Sequence, residues 1–552
     1  MSPSLKHGFF RPSAFTALFA LAATCCRLQA ATLDLTTATI ADLQAAFREG
    51  LTAEKVTAAY LARIAAFDQQ GPQVNSVITL NPRAIEEARA LDAERKAGKI
   101  RGPLHGIAVV LKDNIDTDDL PTTGGSQLLE GSLPPDDAFI TRKLRDAGAI
   151  IVAKVNLSEW AGSGGSATSA PSDIEKASRV PNGFSSAGGQ TRNPHDITRG
   201  PAGSSGGTGA ALAAGFAQIG LGTDTGGSVR GPSSANGIAG LKPTRGLMSR
   251  DGIIPLGLSY DTAGPMARTL YDVAVSLGTM TGVDPADPAT GPSEGHFKTD
   301  YTTYLKRGSL KGAQIGIARD FMGQDPETDR VVEEAIVTLK KLGAVVVDPV
   351  RYPEYLRKGR QDIYNLVVRA EFKADLTTYL KTTKVGYPKS FDDVVALSND
   401  PKTKYRSSGK AAGLQWSSSP DITLDTDDPV YLATKNVLLP AVRAVMDALF
   451  AKHQLDAIVY PTSPKPASLI VPPPDAPGRG ESATSFANFT GYPDVIVPAG
   501  MTKDGLPVTI SFFGPAWSEP RLLGYGYDFE QATLARVLPK YTPALPSDTL
   551  TY

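Results

Sequence analysis

The sequence predicts an α/β fold, built as a single large domain with a β-sheet sandwiched between layers of helices. Three observations carry that expectation. Short apolar runs alternate with helical stretches along most of the 552 residues. The runs are nearly continuous in Val, Ile, Ala and Leu rather than alternating, which is the pattern of strands buried on both faces. No shift in composition marks a domain boundary, and no repeat of about 20–50 residues suggests a solenoid or propeller.

The elements follow in chain order. Residues 1–30 read as a signal peptide: Lys6 and Arg11 precede an apolar run, Phe15–Ala23, and Leu28-Gln29-Ala30-Ala31 offers a cleavage site. An N-terminal membrane anchor is the competing reading, but the run is far short of the ~20 residues that span a bilayer. The expected product is an exported protein, periplasmic or secreted, with residues 31–552 as its one domain and no membrane span. Cys25 and Cys26 both lie in the segment to be removed. The mature chain then has no disulfide, no thiol nucleophile and no thiolate metal site.

Two helices come next. Thr39 is a candidate cap with Asp42 three residues on, and Gly50 ends the first helix. In the second, Val56, Tyr60, Ile64 and Phe67 fall on one face. Strands are expected at Val77–Leu80, Ile107–Leu111, Ala149–Val155, Ala217–Gly222, Ile315–Ala318, Ala344–Val347, Ala457–Tyr460, Asp494–Val497 and Val508–Phe513, with a clear helix over 329–342. Two loop regions stand out. Residues 161–207 are dominated by small residues and 461–480 are rich in Pro; long loops inside a compact domain are usually functional or disordered.

Charge narrows the partner. Lys and Arg number 56 against 57 Asp and Glu, leaving no basic surplus for nucleic acid or an anionic membrane. Loss of Lys6, Arg11 and Arg27 with the leader takes the formal charge from −1 to −4. A small molecule or peptide is the expected partner. The sequence does not specify the oligomeric state.

Candidate chemistry lies in two glycine-rich turns that bear serine: Gly203-Ser204-Ser205-Gly206-Gly207 and Thr225-Gly226-Gly227-Ser228-Val229-Arg230. They flank a small-residue helix, Thr208–Phe216, and a short apolar strand. Glycine beside serine lets the backbone turn tightly and aims N–H groups at a ligand. Such groups suit a developing oxyanion, and loss of one donor typically costs ~3 kcal/mol of transition-state stabilisation. Lys112 follows Ile107–Leu111 directly, so its stem leaves the end of a buried strand. Burial lowers a lysine's pKa, and a neutral lysine can take a proton from a hydroxyl. Alone, a lysine ending a strand reads as a solvated cap; the two serine loops change that reading. Of the five histidines, His7 is in the leader and His105 reads as structural. No HExxH or other metal-ligand spacing is present.

Together these segments are similar to the amidase signature family. The resemblance rests on GSSGG and GTDTGGSVRGPS (Gly203–Pro232), GPLHGIAVVLKDNIDT (Gly102–Thr117), GIAGLKPTRGLMSRDGIIP (Gly237–Pro255), DTAGPMAR (Asp261–Arg268) and GYPDVIVPAG (Gly491–Gly500). It runs from about residue 38 to about residue 535. It implies a mixed sheet between helix layers and a Ser–cis-Ser–Lys triad. Ser228 would attack the carbonyl carbon, Ser204, on a cis peptide after Gly203, would pass the proton, and Lys112 would receive it. The resemblance further implies an oxyanion hole from the N–H groups of Thr225, Gly226, Gly227 and Ser228. Ser205, Asp224 and Arg230 would hold the loops, with no metal and no organic cofactor. Within the family the chain resembles secreted bacterial peptide amidases, through DNIDT, NLSEW, GGQTRNP, SRDGIIP and AWSEP. It departs from them in a longer loop at 163–187 and in the sequence Thr225–Arg230, both near the acyl pocket.

Three other readings compete. GSSGG is formally G-x-S-x-G, which would make Ser205 the nucleophile of an α/β-hydrolase esterase. That fold needs a hydrophobic strand before the elbow, whereas Asn193–Pro201 is polar and broken by proline. A periplasmic solute-binding protein fits the export and the α/β alternation, but leaves the lysine and both serine loops unexplained. The amidase component of a transamidosome, working on charged tRNA, conflicts with the leader and the balanced charge.

Overall fold

A computed structural model describes residues 8, 31–162, 180–473 and 480–552. The expected leader, with both cysteines, and residues 163–179 of the long loop lie outside the described residues.

Both opening helices form where the pattern places them. Thr39 caps Ile40–Arg48 in a capping box with Asp42, which satisfies otherwise orphaned N–H groups of the first turn. In Ala53–Phe67 the stripe of Val56, Tyr60, Ile64 and Phe67 is buried. Ahead of both, a short strand, β1 (Thr32–Asp34), pairs with the last strand of the chain, β15 (Thr549–Thr551).

The centre of the molecule is one mixed sheet. Its strands are β2 (Val77–Leu80), β3 (Ala108–Lys112), β4 (Ile150–Val155), β7 (Ile219–Asp224), β8 (Ala239–Lys242), β9 (Thr262–Ala267), β10 (Gln314–Ile317), β11 (Val345–Val347), β12 (Ala457–Pro461), β13 (Asp494–Met501) and β14 (Pro507–Phe513). They lie in the order β11-β10-β12-β14-β13-β8-β9-β7-β3-β4-β2. A two-stranded ribbon, β5 (Phe184–Ser185) with β6 (Gly189–Gln190), stands apart. β3 runs parallel to both β4 and β7, so the C-terminal ends of these strands share one edge of the sheet.

All nine expected strands are present. Of the eleven strands of this sheet two were not legible, β8 and β9, and both sit in its middle. β9 carries Gly264 and Pro265, residues that weaken a strand reading. Here Pro265 pairs with Leu221 of β7 in an antiparallel ladder.

β3, β4, β7, β8, β9, β12 and β14 are buried along their whole length. Helices flank the sheet, as the continuous apolar runs require. Full burial of each Val, Leu or Ile in these strands contributes roughly 1.5–3 kcal/mol. A second apolar cluster lies outside that core, where Glu354–Leu380 packs with Phe391–Asn399, Ser408–Ser417 and Leu439–His453 through Phe372, Phe391, Leu414 and Met446. Among the described residues no helix is long and apolar enough to cross a membrane.

Candidate active site

Lys112 is the last residue of β3 and is completely buried. Its Nζ hydrogen-bonds Ser204 Oγ at 2.8 Å and Thr223 Oγ1 at 2.7 Å. Thr223 stands near the end of the adjacent strand β7, so strand pairing delivers one partner and the Gly203–Gly207 turn the other. Burial brings the Lys112 pKa down to about 7, against the pull of Asp261 and Asp224. A lysine lowered this far carries a neutral fraction near pH 7 that is able to accept a proton.

The peptide between Gly203 and Ser204 is cis. The Ser204 carbonyl accepts from Ser158 N at 2.9 Å. Tight packing explains the small residues of this turn: a Cβ on Gly203 would strike Ser158 Oγ, and one on Gly207 the Asn156 backbone. Ser205 is completely buried. Its Oγ bridges the Thr223 carbonyl (3.2 Å) and the Thr223 N–H (3.3 Å), and its own N–H donates to the Ser228 carbonyl at 3.2 Å. That last bond ties the two serine loops together. The esterase reading asks for an exposed Ser205 on a strand-borne elbow, and the buried hydroxyl here does not provide one.

Asp224 shapes the loop that carries Ser228. Its carboxylate accepts from Gly227 N (2.8 Å) and Val229 N (3.0 Å), and from Arg230 Nε (3.0 Å) and Nη2 (2.9 Å). Burial alone would raise the Asp224 pKa, but the Arg230 guanidinium and the Asn488 amide overcome it and hold the carboxyl below the usual range. Arg230 also donates to Asp494 Oδ2 at 2.9 Å and to the Thr484 carbonyl at 2.6 Å, which pins the loop to β13 and the helix Thr484–Thr490.

The oxyanion expectation needs one correction. Gly227 N–H is committed to Asp224, so the expected set of four donors contains one occupied member. The N–H groups of Thr225, Gly226 and Ser228 have no acceptor among the described residues. Gly227 still has a conformational role: its φ of +118° is one that side-chain-bearing residues rarely adopt.

Several residues at the site receive no role from the sequence, although Thr223, Asn114 and Asp261 lie inside the quoted motifs. Thr223 lies inside the GTDTGGSVRGPS motif but has no chemistry of its own to flag it. Asn114 donates from Nδ2 to Thr223 Oγ1 at 3.2 Å and to the Ile254 carbonyl at 3.4 Å. Asp261 accepts from the Thr225 hydroxyl and from Leu256 N (2.9 Å) and Gly257 N (3.0 Å). Tyr364, on the helix Glu354–Leu380, lies over Gly226: a Cβ added there would stand 3.0 Å from the phenol oxygen. The ring stacks on Tyr260 with centroids 5.4 Å apart. A helix nearly 140 residues downstream leaves no local signal for that contact.

The described histidines lie elsewhere. His105 is buried with Nε2 against the Leu91 carbonyl (2.9 Å), and His296 stacks on Trp517. Among the described residues no cluster of His, Cys, Asp and Glu could hold a metal ion.

Comparison with known proteins gives a consistent picture. A family model described as Amidase matches residues 55–523. A probable amidase of Arabidopsis thaliana is 33% identical over 520 residues, covering 92% of this chain and 93% of its own. A glutamyl-tRNA(Gln) amidotransferase subunit from Synechococcus sp. is 34% identical, over 87% of this chain and 89% of its own. Among solved structures, the native peptide amidase from Stenotrophomonas maltophilia is 40% identical with a TM-score of 0.80, covering 92% of this chain and 99% of that one.

Proposed function

The chain belongs to the amidase family and is an amide-hydrolysing enzyme, and on that premise we propose that it works through an acyl-enzyme on Ser228, with Ser204 and Lys112 as the proton relay. One observation carries the reading: a buried lysine with a pKa near 7 hydrogen-bonds a serine on the turn that is tied to the Ser228 loop.

Ser228 Oγ attacks the carbonyl carbon of the amide. Its proton passes to Ser204 Oγ, which gives its own to the Lys112 lone pair. Negative charge on the former carbonyl oxygen is met by the N–H groups of Thr225, Gly226 and Ser228. The C–N bond then breaks as Lys112 returns the proton through Ser204 to the leaving nitrogen, and ammonia or an amine departs. Water repeats the attack on the acyl carbon, with the relay again taking and returning a proton, and releases the free acid. Ser205, Asp224 and Arg230 hold the two loops in register.

For substrate, we propose peptide C-terminal amides or other small amides. Likeness to the Stenotrophomonas peptide amidase supports this. Relatives that serve glutamyl-tRNA favour a second substrate, but the even balance of charge gives a tRNA no basic surface. The proposed site of action is outside the cytoplasm, on the strength of residues 1–30 alone.

Two measurements test the reading. The mature chain is assayed on peptide amides, aryl amides and fatty amides for release of ammonia or amine, with turnover expected on the first class. Labelling by a fluorophosphonate is mapped by peptide mass; the label belongs on Ser228, and a label on Ser205 refutes the assignment.

A further inference from the structure

Four residues of the helix Glu354–Leu380 lie at i, i+4, i+7 and i+11: Tyr364, Val368, Glu371 and Asp375. This spacing puts them on one face, and that face meets a single loop, residues 256–261, just before β9. The Tyr364 ring stacks on Tyr260. Val368 lies so near Gly257 that a Cβ there would stand 2.9 Å from it. Glu371 accepts from Ser259 N at 2.8 Å and from Ser259 Oγ at 2.5 Å, and Asp375 Oδ2 accepts from Leu258 N at 3.3 Å.

Glu371 is the strongest of these holds. It is 2% exposed, and besides Ser259 its carboxylate accepts from the Tyr431 hydroxyl and from Lys435 Nζ, each at 2.8 Å. Lys435 stands in the π-helical turn Thr434–Leu438, which continues the helix that carries Tyr431, so both reach the same carboxylate. Burial would raise the Glu371 pKa, but Lys435 and Ser259 hold it below the usual range and keep it an anion. Hydrogen bonds to an ionised acceptor are roughly twice as strong as neutral ones, so Ser259 is held firmly by backbone and side chain together. Two residues on, Asp261 accepts from the Thr225 hydroxyl and folds back onto Leu256 N and Gly257 N. The same helix face also reaches the oxyanion loop directly, through the edge of the Tyr364 ring against Gly226.

We propose that Glu371 is a positioning residue for the oxyanion hole: by locking Ser259 it fixes Asp261, and through Asp261 the Thr225 hydroxyl and the direction of the Thr225 and Gly226 N–H groups. Glu371 acts through the loop and not on the substrate. An oxyanion hole works only when its donors stand about 2.7–3.1 Å from the place the charged oxygen will occupy, so a loop that drifts loses transition-state binding first. Substrate binding, made before the charge develops, is left nearly unchanged. Loss of Glu371 therefore falls on kcat rather than on KM. The inference rests on the reading in which Thr225 and Gly226 donate to the oxyanion.

Kinetics of E371L, T225V and the double variant on one peptide amide test the role, with rates expressed per site titrated by a fluorophosphonate so that unfolded protein does not count. E371L should lower kcat about 100-fold with KM within about twofold. T225V should lower kcat about tenfold. Both act through the bond between Thr225 and Asp261, so the double variant should be no slower than E371L alone. A loss near the product of the two, about 1,000-fold, means independent effects and overturns the proposal. A peptide aldehyde reports on the hole itself, because Ser228 Oγ adds to its carbonyl carbon and leaves a hemiacetal oxygen where the oxyanion would sit. Its affinity should fall across the variants by the same factor as kcat/KM. E371L with kcat and aldehyde affinity unmoved also overturns the proposal. If E371L does not fold, S259A takes its place: it removes one of the two bonds to the loop, keeps Lys435 paired and should lower kcat about fivefold. A crystal structure of the aldehyde adduct of the parent enzyme separates the two claims. A hemiacetal oxygen away from Thr225 N and Gly226 N sinks the oxyanion reading, whereas an oxygen on those groups with unmoved kinetics sinks the role of Glu371 alone.

Discussion

Two lysines stand on neighbouring strands of the sheet, both completely buried, and their surroundings give them opposite tasks. Lys154 of β4 sits opposite Leu111 of β3, one residue from Lys112 in the ladder. Each hydrogen-bonds a threonine hydroxyl at 2.7 Å, Lys112 to Thr223 and Lys154 to Thr122. The remaining partners differ. Lys154 donates to the Pro121 carbonyl at 3.1 Å and has Asp113 Oδ1 at 3.6 Å, whereas Lys112 meets Ser204 and no carboxylate in contact. Burial lowers both pKa values, opposed at Lys154 by Asp113 and Asp116 and at Lys112 by Asp261 and Asp224, neither of which is in ion-pair contact with it. Burial favours the neutral amine at both; only Lys112 also meets a serine hydroxyl that can hand it a proton, whereas Lys154 has a carboxylate within ion-pair distance.

The largest expected effect breaks that comparison most directly. Lys112→Ala should lower kcat on an amide substrate by about 10⁴-fold, the scale on which relay members act. Lys154→Met, measured per folded molecule, should stay within about tenfold of the parent enzyme. Equal losses in both variants would mean that the two lysines are not functionally distinct.

That distinction was only half legible in the sequence. Lys112 and Lys154 both end or nearly end an apolar strand, and neither run announces which amine meets a carboxylate. The nine strands were readable because continuous Val and Ile runs report two-sided burial locally. The turns that bear Ser204 and Ser228 stood out because glycine beside serine reports a backbone conformation, whereas Asp224 entered only through the family resemblance. Tyr364 reaches the site through helix packing from far along the chain, so nothing beside it in the sequence marks it, whereas Asn114 and Asp261 lie inside the DNIDT and DTAGPMAR segments without a role assigned to them there. The resemblance implies Gly227 as an oxyanion donor, whereas in the fold the Asp224 carboxylate turns back on its own loop and takes that N–H.

Stability should invert the kinetic ranking. Lys154→Met leaves the Asp113 carboxyl buried without its partner, at a cost of about 3–5 kcal/mol in unfolding free energy. Lys112→Met should instead stabilise the protein at pH 7. A fall in pKa from 10.5 to about 7 means that folding strips a proton from the lysine, a cost of up to about 5 kcal/mol. Lost hydrogen bonds to Ser204 and Thr223 reduce the gain to roughly 1–3 kcal/mol. The sign with pH follows. Between about 7 and 10.5 the unfolded chain holds a proton that the folded chain does not, so the parent enzyme gains stability as pH rises through that window. The advantage of Lys112→Met should be full at pH 7 and below and fade towards pH 10.5. Thermal unfolding of both proteins at pH 7 and pH 10 measures it, and a gain independent of pH would exclude this cause.

The same titration should appear in the rate. Below pH 7 Lys112 takes up a proton and loses its lone pair, so kcat/KM should fall about tenfold per pH unit. Lys154→Met should leave that limb in place, since Lys154 hydrogen-bonds Pro121 and Thr122 rather than Ser204 or Thr223. A limb that moves with Lys154→Met would show that the two amines titrate as a coupled pair.

The smallest effects come from the two matched threonines, and they make the finest comparison. Thr122→Val and Thr223→Val each remove one hydroxyl at 2.7 Å from a buried lysine nitrogen. Each change should cost about 1 kcal/mol of stability or of transition-state binding, as one hydrogen bond typically does. At Lys154 the cost should appear in thermal unfolding with kcat unmoved. At Lys112 it should appear as a fall of about tenfold in kcat at high pH, because an amine with one anchor fewer directs its lone pair less well. A hydroxyl acceptor favours the ammonium form over the neutral one, so its removal should also carry the acid limb below pH 7. The deficit of Thr223→Val should therefore narrow as the assay is made more acid, where the parent enzyme is itself protonated. A deficit constant from pH 5 to pH 9 would place Thr223 in the packing of β7 and take it out of the relay's surroundings.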